Sequence, residues 1–380
     1  MKEGDKSDKK PRILLVADYS NFHATLARGL RRLGSDVTLV SDGAEFMKCE
    51  RDIDISRRHS GKIGGLLHAG NLLATALTKM SGYDIVSFRD PAFLNLKPQR
   101  IRHFFRLLAR RNGACFLTYL AKDVNYHDML AGPASPLRYN EWFVDGRPNR
   151  LLEQKPDLWK SWNAPAMRRL NETFYAGVRG TVTALYEYHL AALRAFPKEK
   201  VAYGGIPIDT DSIEHRVIDR PKKVRLFLAR DRRRQLEKGS DLLETAARNV
   251  VARHPGEAEF VMLENVPRKE YLEVMRSCHV VLDQMYSYTP ATMALESMAS
   301  GLTVVSGAEE DYYRFIGETE NFPIINSPIE LEPLEKEIES LIMRPQDFAE
   351  RSRRGREFVE KHNGMETVAR RFLNFWEKNA

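Results

Sequence analysis

The sequence predicts an α/β protein built from two doubly wound domains. Short apolar segments alternate with longer segments of helical spacing in both halves of the chain, a pattern typical of parallel strands joined by helical crossovers. A segment rich in glycine and proline, residues 204–207, interrupts the alternation near the middle. At 380 residues the chain is long enough for two cores of ordinary size.

The elements of the first half follow the expected order of strand, helix and strand. Apolar segments predict buried strands at residues 13–17, 36–40, 84–88 and 114–119. Helical spacing predicts helices at residues 22–33 and 99–111. Repeated units of this kind form right-handed crossovers, so the strands are expected to make a parallel sheet.

Residues 126–167 break this rhythm. They contain several prolines and glycines together with Trp142, Trp159 and Trp162, which predicts a long insertion with little regular structure of its own. One helix over residues 171–196 is expected to close the first half.

The alternation resumes after residue 207. Strands are predicted at residues 224–229, 259–263 and 279–282, and helices at residues 239–253 and 268–277. Residues 283–307 then add a Ser- and Thr-rich loop, a helix carrying Glu296, a turn at Gly301 and a buried strand. Residues 346–380 are charged and strongly helical, with an apolar stripe that includes Phe358 and Phe372.

Composition narrows the functional classes. The chain is 43% hydrophobic with a mean hydropathy of -0.45, and it lacks a run of about 18 apolar residues that could span a bilayer. Its first eleven residues are charged, which predicts no secretory signal and a cytoplasmic location. Cys49, Cys115 and Cys278 lack metal-site spacing and are expected to be reduced thiols.

The net charge of +7 favours anionic partners, namely phosphates, anionic lipid or nucleic acid. Nucleic acid is the weakest of the three because no zinc-finger, RNP or KH pattern is present. One predicted helix, KPQRIRHFFRLLARRNG, has an apolar stripe beside an arginine stripe. This helix is interpreted either as an ordinary sheet-covering helix or as a surface for anionic membrane.

Two loops of the second half predict a site for a phosphate-bearing ligand. Ser287 to Pro290 lead into a helix start, where free backbone amides favour an anion. The other loop follows the strand at residues 224–229, where Arg234 and Lys238 lie beside a turn glycine. Together with Glu296 on the neighbouring helix, these cations match a nucleotide diphosphate and its ribose. A plain helix-turn-strand and a solvated basic loop remain the alternatives.

The segments KGSDLLETAARNV, VPRKEYLEVMRSCHVVLD, ALESMASGLTVVSG and REFVEKHN, set in two Rossmann-like domains, resemble the GT-B glycosyltransferases, most closely glycosyltransferase family 4. The similarity is strong over residues 201–325 and at REFVEKHN, and weaker in the first half. It implies an acceptor-binding domain at residues 1–202, a nucleotide-sugar domain at 203–357, and a C-terminal helix at 358–380 that returns to the first domain.

The resemblance implies a retaining transfer from a nucleoside-diphosphate sugar to a saccharide or lipid-linked saccharide acceptor, in polysaccharide or glycoconjugate synthesis. No metal or other cofactor is expected. Arg234, Lys238 and Glu296 would be the catalytic residues: the two cations bind the diphosphate, and Glu296 binds the ribose. The full donor-binding set adds seven positions: Gly205, Val266, Tyr288, Thr289, Pro290, Ala291 and Thr292.

The chain departs from the family pattern at two positions. The first Glu of the Glu-x7-Glu motif falls on Tyr288, and the cleft histidine falls on Leu120. Tyr288 is interpreted either as part of a loop that offers amides and hydroxyls to the sugar or as a packing residue. Acceptor-side candidates are Asn21, His23 and Asp123.

Other functions stay open beside transfer. A nucleotide-sugar 2-epimerase of the same fold would need acidic residues and histidines around the sugar, and a binding protein could have kept the fold without catalysis. The acidic segment at residues 309–311 is interpreted as a solvated loop rather than a sugar or metal site. A dinucleotide-dependent dehydrogenase is disfavoured because no GxGxxG follows the first strand.

Overall fold

Two parallel sheets form the framework of the chain in the computed structural model, which describes residues 10–43, 49–131, 134–266 and 268–380. Residues 1–9, on which the expectation of no secretory signal mainly depends, lie outside that part. The strands are β1 (Arg12–Val16), β2 (Asp36–Ser41), β3 (Ile53–Asp54), β4 (Ile85–Phe88), β5 (Ala114–Tyr119), β6 (Phe143–Val144), β7 (Arg147–Pro148), β8 (Thr181–Thr183), β9 (Val201–Tyr203), β10 (Val224–Arg230), β11 (Ala258–Glu264), β12 (Val280–Leu282), β13 (Thr303–Ser306) and β14 (Ile325–Asn326).

The helices alternate with these strands. They are α1 (Phe22–Arg32), α2 (Gly61–Thr78), α3 (Pro98–Arg111), α4 (Val124–Leu130), α5 (Arg150–Gln154), α6 (Pro156–Trp162), α7 (Pro165–Tyr175), α8 (Tyr186–Ala195), α9 (Gln235–Lys238), α10 (Ser240–Arg253), α11 (Arg268–Arg276), α12 (Thr292–Ala299), α13 (Glu310–Ile316), α14 (Leu331–Ile342), α15 (Phe348–Asn363) and α16 (Met365–Asn379). Among the described residues, none of the helices combines the length and apolar character that a bilayer crossing requires.

The strand order confirms the predicted doubly wound α/β class. The first sheet has the order β3-β2-β1-β4-β5-β8-β9 and the second β11-β10-β12-β13-β14. All pairings of the described strands within the two sheets are parallel, whereas the short β6-β7 hairpin is antiparallel. In each sheet the chain starts at an inner strand, moves to one edge and then crosses to the other, which creates a crevice at the carboxyl ends of the strands. We call the parts built on the two sheets the N-terminal and C-terminal domains.

Two sequence expectations about the middle of the chain are wrong. The insertion at residues 126–167 is not irregular, because it contains α5, α6, the β6-β7 hairpin and the first turn of α7. Its order comes from buried aromatic side chains such as Tyr139 and Trp142. The single helix predicted over residues 171–196 is divided into α7 and α8 by the strand β8. Gly177 and Gly180 interrupt the helix there, and the β-branched sequence Thr-Val-Thr favours a strand.

The C-terminal helix α16 returns to the N-terminal domain, as the GT-B resemblance implies. It packs along α1, where the rings of Phe372 and Phe22 lie 6.0 Å apart. Trp376 packs near Phe116 of β5, with a ring separation of 6.3 Å. The preceding helix α15 packs against α12 of the C-terminal domain. The last two helices therefore connect both domains.

Replacing Gly204 with alanine is expected to destabilise this connection. A Cβ at Gly204 would overlap the Phe372 ring and lie 2.8 Å from Cγ1 of Val182. Overpacking of this kind costs about 1–3 kcal/mol, because the buried neighbours must leave their favoured rotamers. Thermal unfolding measures the effect. Gly256→Ala is the matched control, since a Cβ there meets no atom within 4 Å, and equal midpoints for both variants would contradict the prediction.

Candidate functional site

A cleft between the two domains holds two adjoining cavities. The larger, of about 1040 Å³ including its mouth, is lined by Arg234 and Lys238. The smaller, of about 780 Å³, is lined by Asn21 and Glu296. Four residues line both cavities: Ser20, Phe22, Ile206 and Thr292. The predicted cations and the predicted ribose carboxylate thus lie along one continuous cleft.

The loop after β10 positions the cations. The strand runs into a 3-10 turn at Arg232–Arg234 and then into α9, which ends at Gly239. Gly239 has a φ of 70°, a left-handed conformation that glycine adopts without strain, and it joins α9 to α10. A Cβ at this glycine would lie 2.8 Å from the sulfur of Met285. The tight turn therefore holds Lys238, the last residue of α9, at the cleft.

Lys238 is anchored by a buried carboxylate. Its Nζ lies 3.1 Å from Oδ1 of Asp283, which directly follows β12. The other oxygen of Asp283 accepts a hydrogen bond from the Ser306 hydroxyl at 3.1 Å. This support fixes the direction of the lysine side chain, and Lys238 lines the larger cavity.

Arg234 belongs to a charge network that crosses the cleft. Its guanidinium donates to Glu237 at 2.8 Å and to the hydroxyl of Tyr19 at 2.9 Å. Glu237 also pairs with Lys122 of the N-terminal domain at 2.7 Å, and Lys122 pairs with Glu141 at 2.8 Å. Although burial acts to raise it, the pKa of Glu237 lies well below its usual value because Lys122 and Arg234 favour the ionised form.

The loop at residues 287–289 binds a carboxylate from the opposite domain. Glu187, in the first turn of α8, accepts hydrogen bonds from the backbone amides of Tyr288 at 2.5 Å and Thr289 at 3.1 Å. It also accepts from the hydroxyls of Thr289 at 2.6 Å and Ser287 at 2.9 Å. Burial raises the pKa of Glu187, and these donors partly oppose the increase. The amides of Tyr288 and Thr289, which were expected to face a ligand, are thus occupied by Glu187.

Tyr288 packs against the insertion. Its hydroxyl accepts a hydrogen bond from the backbone amide of Arg138 at 2.8 Å, and its ring lies 4.9 Å from that of Tyr139. Tyr288, Thr289 and Pro290 are buried and line neither cavity, whereas Ala291 and Thr292 line the cleft. The structure therefore favours the packing interpretation of Tyr288.

The loop between β1 and α1 forms the N-terminal wall of the cleft. Ala17, Ser20 and Asn21 have positive φ values of 64°, 52° and 63°, a conformation that is costly for residues with a side chain. The buried carboxylate of Asp18 stabilises the loop by accepting from the amides of Tyr19 and two further residues, His23 and Ala24. This strained loop places the predicted acceptor-side residue Asn21 at the cavity that Glu296 also lines.

Two predicted acceptor-side residues are structural instead. His23 is fully buried, with Nδ1 2.6 Å from the carbonyl oxygen of Ala17 and Nε2 3.0 Å from the hydroxyl of Thr118. Asp123 is buried as the N-cap of α4, where it accepts from the amide of Tyr126 at 2.9 Å. Neither lines the cleft cavities. The sequence placed both residues at the right sheet edge, but their side chains turn into the core.

Three further expectations also differ from the observed contacts. Gly205, with a φ of 81°, lies beside Asn363 of the C-terminal helices and lines neither cavity. Val266 is also not among the cavity-lining residues. Glu309 is not simply solvated, because it accepts from the hydroxyl of Tyr139 at 2.6 Å.

The buried state of His23 predicts acid sensitivity. Burial lowers its pKa from 6.5 to about 4, so the unfolded chain takes up a proton in this range and the folded chain does not. The contribution of neutral His23 to the free energy of unfolding is fully present above pH 6.5. It decreases as the pH falls towards 4, by up to about 3 kcal/mol. Urea denaturation across this range is expected to show a weaker pH dependence for His23→Asn than for wild type.

Exposed His59 supplies the control for this measurement, since His59→Asn should keep the wild-type dependence. The buried carboxyl groups of Asp18 and Asp123 have the opposite effect on the pH dependence. Their pKa values are raised to about 6, chiefly by burial, so their protonation stabilises the folded state as the pH falls. Identical pH profiles for wild type and His23→Asn would contradict the prediction.

Several cleft residues were missed by the sequence analysis. Lys122 and Glu141 of the N-terminal domain and Glu187 of α8 line the larger cavity, together with Glu237 of α9. Lys122 lies three residues after the end of a predicted strand, which is a signal that could have identified it. In the described part of the chain, no group of three or more His, Cys, Asp or Glu residues has the arrangement of a metal site.

Comparison with known proteins gives one family match and many structural ones. Residues 225–374 match the family described as "Glycosyl transferase-like". No curated protein sequence matches the chain. HepE from Anabaena, solved in complex with UDP and glucose, has a TM-score of 0.59 at 12% identity, with 97% of this chain and 100% of that chain covered.

Two other solved structures extend the comparison. Sucrose-phosphate synthase from Thermosynechococcus elongatus has a TM-score of 0.61 at 14% identity, with 97% of this chain and 98% of that chain covered. A putative UDP-N-acetylglucosamine 2-epimerase from Listeria monocytogenes has a TM-score of 0.51 at 11% identity, with 96% and 95% covered. At these identities the similarity is one of fold, and it extends over nearly the whole chain.

Proposed function

Because this chain has the GT-B fold and its residues 225–374 are glycosyl transferase-like, we propose that it transfers a sugar from a nucleoside-diphosphate sugar to a saccharide or lipid-linked saccharide. The C-terminal domain binds the donor, the N-terminal domain binds the acceptor, and the anomeric configuration is retained. The observation that carries the proposal is the cleft itself, where Arg234 and Lys238 lie at one cavity and Glu296 at the adjoining one.

The spacing of these groups suits a nucleoside diphosphate. Two cations at the carboxyl edge of the second sheet match the charge of the diphosphate, and a carboxylate on α12 matches the two ribose hydroxyls. Both cations already have carboxylate partners, Glu237 and Asp283. These partners keep the cations oriented before the ligand arrives, and preorganised charges are the most effective ones in catalysis.

In the proposed transfer, Arg234 and Lys238 stabilise the negative charge that develops on the departing diphosphate. A donor phosphate oxygen accepts the proton of the acceptor hydroxyl on the same face of the sugar, so the new bond forms with retention. The protein's contribution is then mainly positioning and electrostatic stabilisation. On the N-terminal side, Asn21, Tyr19 and Lys122 are among the polar residues that line the cavities and can contact an acceptor.

The proposal includes a role in cell-surface polysaccharide or glycoconjugate synthesis, a cytoplasmic location with peripheral contact to an anionic membrane, and no requirement for a metal. HepE, which has the same fold, was solved with UDP and glucose, and this supports a nucleotide sugar as the donor class. Because no metal is required in this proposal, transferase activity is expected to persist in the presence of a chelator.

A thermal-shift screen against UDP, GDP, ADP and CMP tests the proposal. At least one nucleoside diphosphate should stabilise the protein, because a ligand that binds only the folded state raises the unfolding temperature. No stabilisation by any of them would contradict the assignment.

NMR analysis of the products then separates transfer from the alternatives. A 2-epimerase would convert the donor without an acceptor, and an inactive binding protein would leave it unchanged. Transfer is favoured over epimerisation because neither cavity is lined by a histidine within the described residues. In addition, Glu141, Glu187 and Glu237 are already engaged in ion pairs or hydrogen bonds.

A further inference from the structure

The helix α2 of the N-terminal domain exposes an apolar stripe. Large aliphatic side chains are spaced so that they lie along one face of the helix. Their exposed fractions are 78% for Ile63, 75% for Leu66, 59% for Leu67, 47% for Leu73 and 36% for Leu77. Only Gly64, Leu72 and Ala76 of this helix are buried. The helix therefore rests on the protein through a narrow strip and presents its apolar side chains to the surroundings, which is typical of an interaction surface.

The surroundings of this stripe are strongly basic. Residues 56–83 contain four Lys or Arg residues and no Asp or Glu. The helix α3, which contacts α2, lies in residues 97–111, where six Lys or Arg residues occur and again no acidic residue. Most of these cations are exposed. The ten positive charges exceed the net charge of +7 of the whole chain, and the four of residues 56–83 lie on α2 or directly beside it. On α3, Arg106 and Arg110 lie on the side that faces Glu172 of α7.

An apolar stripe among cations limits the possible partners. A second copy of this chain would bring two strongly positive faces together, and neither helix has a carboxylate that could pair with them. An apolar protein surface would bury the leucine side chains but would offer no negative charge to the arginines. An anionic lipid surface satisfies both, because its headgroups attract the cations while aliphatic side chains enter the acyl boundary.

We propose that α2, together with the cations of residues 57–79, is a docking surface for an anionic membrane, an inference that rests on the membrane contact of the proposed function. The stripe of Ile63, Leu66, Leu67, Leu73 and Leu77 lies in the plane of the interface, and the cations contact the lipid phosphates. The N-terminus of α2 follows the carboxyl end of β3, the sheet edge that faces the cleft. Its most exposed residues, Ile63 and Leu66, therefore lie towards the cleft end of the domain. Docking through them brings the proposed acceptor side close to a lipid surface.

Vesicle flotation tests this proposal with the full-length protein. Wild type should float with vesicles that contain phosphatidylglycerol, should not float with pure phosphatidylcholine, and should be released by salt. The double variant Leu66→Glu with Leu73→Glu should lower the bound fraction at least about tenfold, because carboxylates oppose both insertion and the lipid charge. Arg58→Gln with Lys62→Gln should also weaken binding to the anionic vesicles, because these exposed cations lie beside the stripe.

The matched control is Leu158→Glu with Leu193→Glu, two leucines of comparable exposure, at 44% and 39%, on other helices. This control should float like wild type. Thermal stabilisation by nucleoside diphosphates is measured on every variant, so that failure of the nucleotide site is seen separately from failure of docking. The proposal is overturned if wild type does not float with anionic vesicles, or if the α2 variant binds them as wild type does. It is also overturned if that variant instead converts a dimer to a monomer.

Discussion

Replacing Lys238 with alanine is expected to weaken nucleoside-diphosphate binding by about 10- to 100-fold, since a hydrogen bond to a charged group contributes about 1.5–3 kcal/mol. Lys238 lies at the wall of the larger cavity, and its ammonium group is held in place by Asp283. Removing it also leaves the buried Asp283 carboxylate without its cation, which adds repulsion towards a diphosphate. Isothermal titration with the nucleotide identified by thermal shift measures the loss.

Arg232 provides the control for this experiment. It lies on the same 3-10 turn as Arg234, but its side chain is largely exposed. It pairs with Glu264, the last residue of the neighbouring strand β11. Arg232→Ala lowers the overall charge by the same amount as Lys238→Ala, so it corrects for long-range electrostatics. Equal affinities for the two variants would show that the diphosphate does not bind at Lys238.

The fold could be predicted because its signals are local. The strand predictions around β1, β5 and β10 deviate by at most one residue at either end from the observed bounds, since a short apolar run between turn residues is typical of a buried parallel strand. The insertion was harder to predict because its short helices are stabilised by tertiary contacts. One of these contacts is the packing of Trp142 against Trp159, with a ring separation of 5.2 Å, and local periodicity carries no information about it.

The cleft could be predicted only in part, for the same reason. Arg234, Lys238 and Glu296 could be assigned to the cleft because each lies near a recognisable turn or helix start. The roles of Glu187 and Lys122 depend on contacts across more than a hundred residues of sequence, to Thr289 and Glu237. His23 shows the converse error: its position in a strand-to-helix loop suggested the crevice, but the orientation of a side chain depends on backbone angles that composition does not reveal.

Glu187 is the residue whose removal should most disturb the contact between the domains. Its carboxylate is buried and accepts from two amides and two hydroxyls of residues 287–289. Glu187→Ala leaves these four donors without their acceptor, which is expected to cost about 3 kcal/mol or more. Glu187→Gln keeps one carbonyl acceptor and should show a smaller loss. Thermal and urea unfolding measure both effects, with exposed Glu199→Ala as the control.

The nucleotide-binding results should differ from those of Lys238→Ala. Glu187 contacts neither Arg234 nor Lys238, so affinity for the nucleoside diphosphate alone should change little in Glu187→Gln. Affinity for the complete nucleotide sugar should fall, because Glu187 orders residues 287–289, of which Ser287 lines the larger cavity together with the nearby Ala291 and Thr292. The family motif has a glutamate where this chain has Tyr288. Glu187, from the opposite domain, supplies a carboxylate to the same loop. A Glu187→Ala variant that unfolds like wild type and keeps full affinity for the nucleotide sugar would contradict this role.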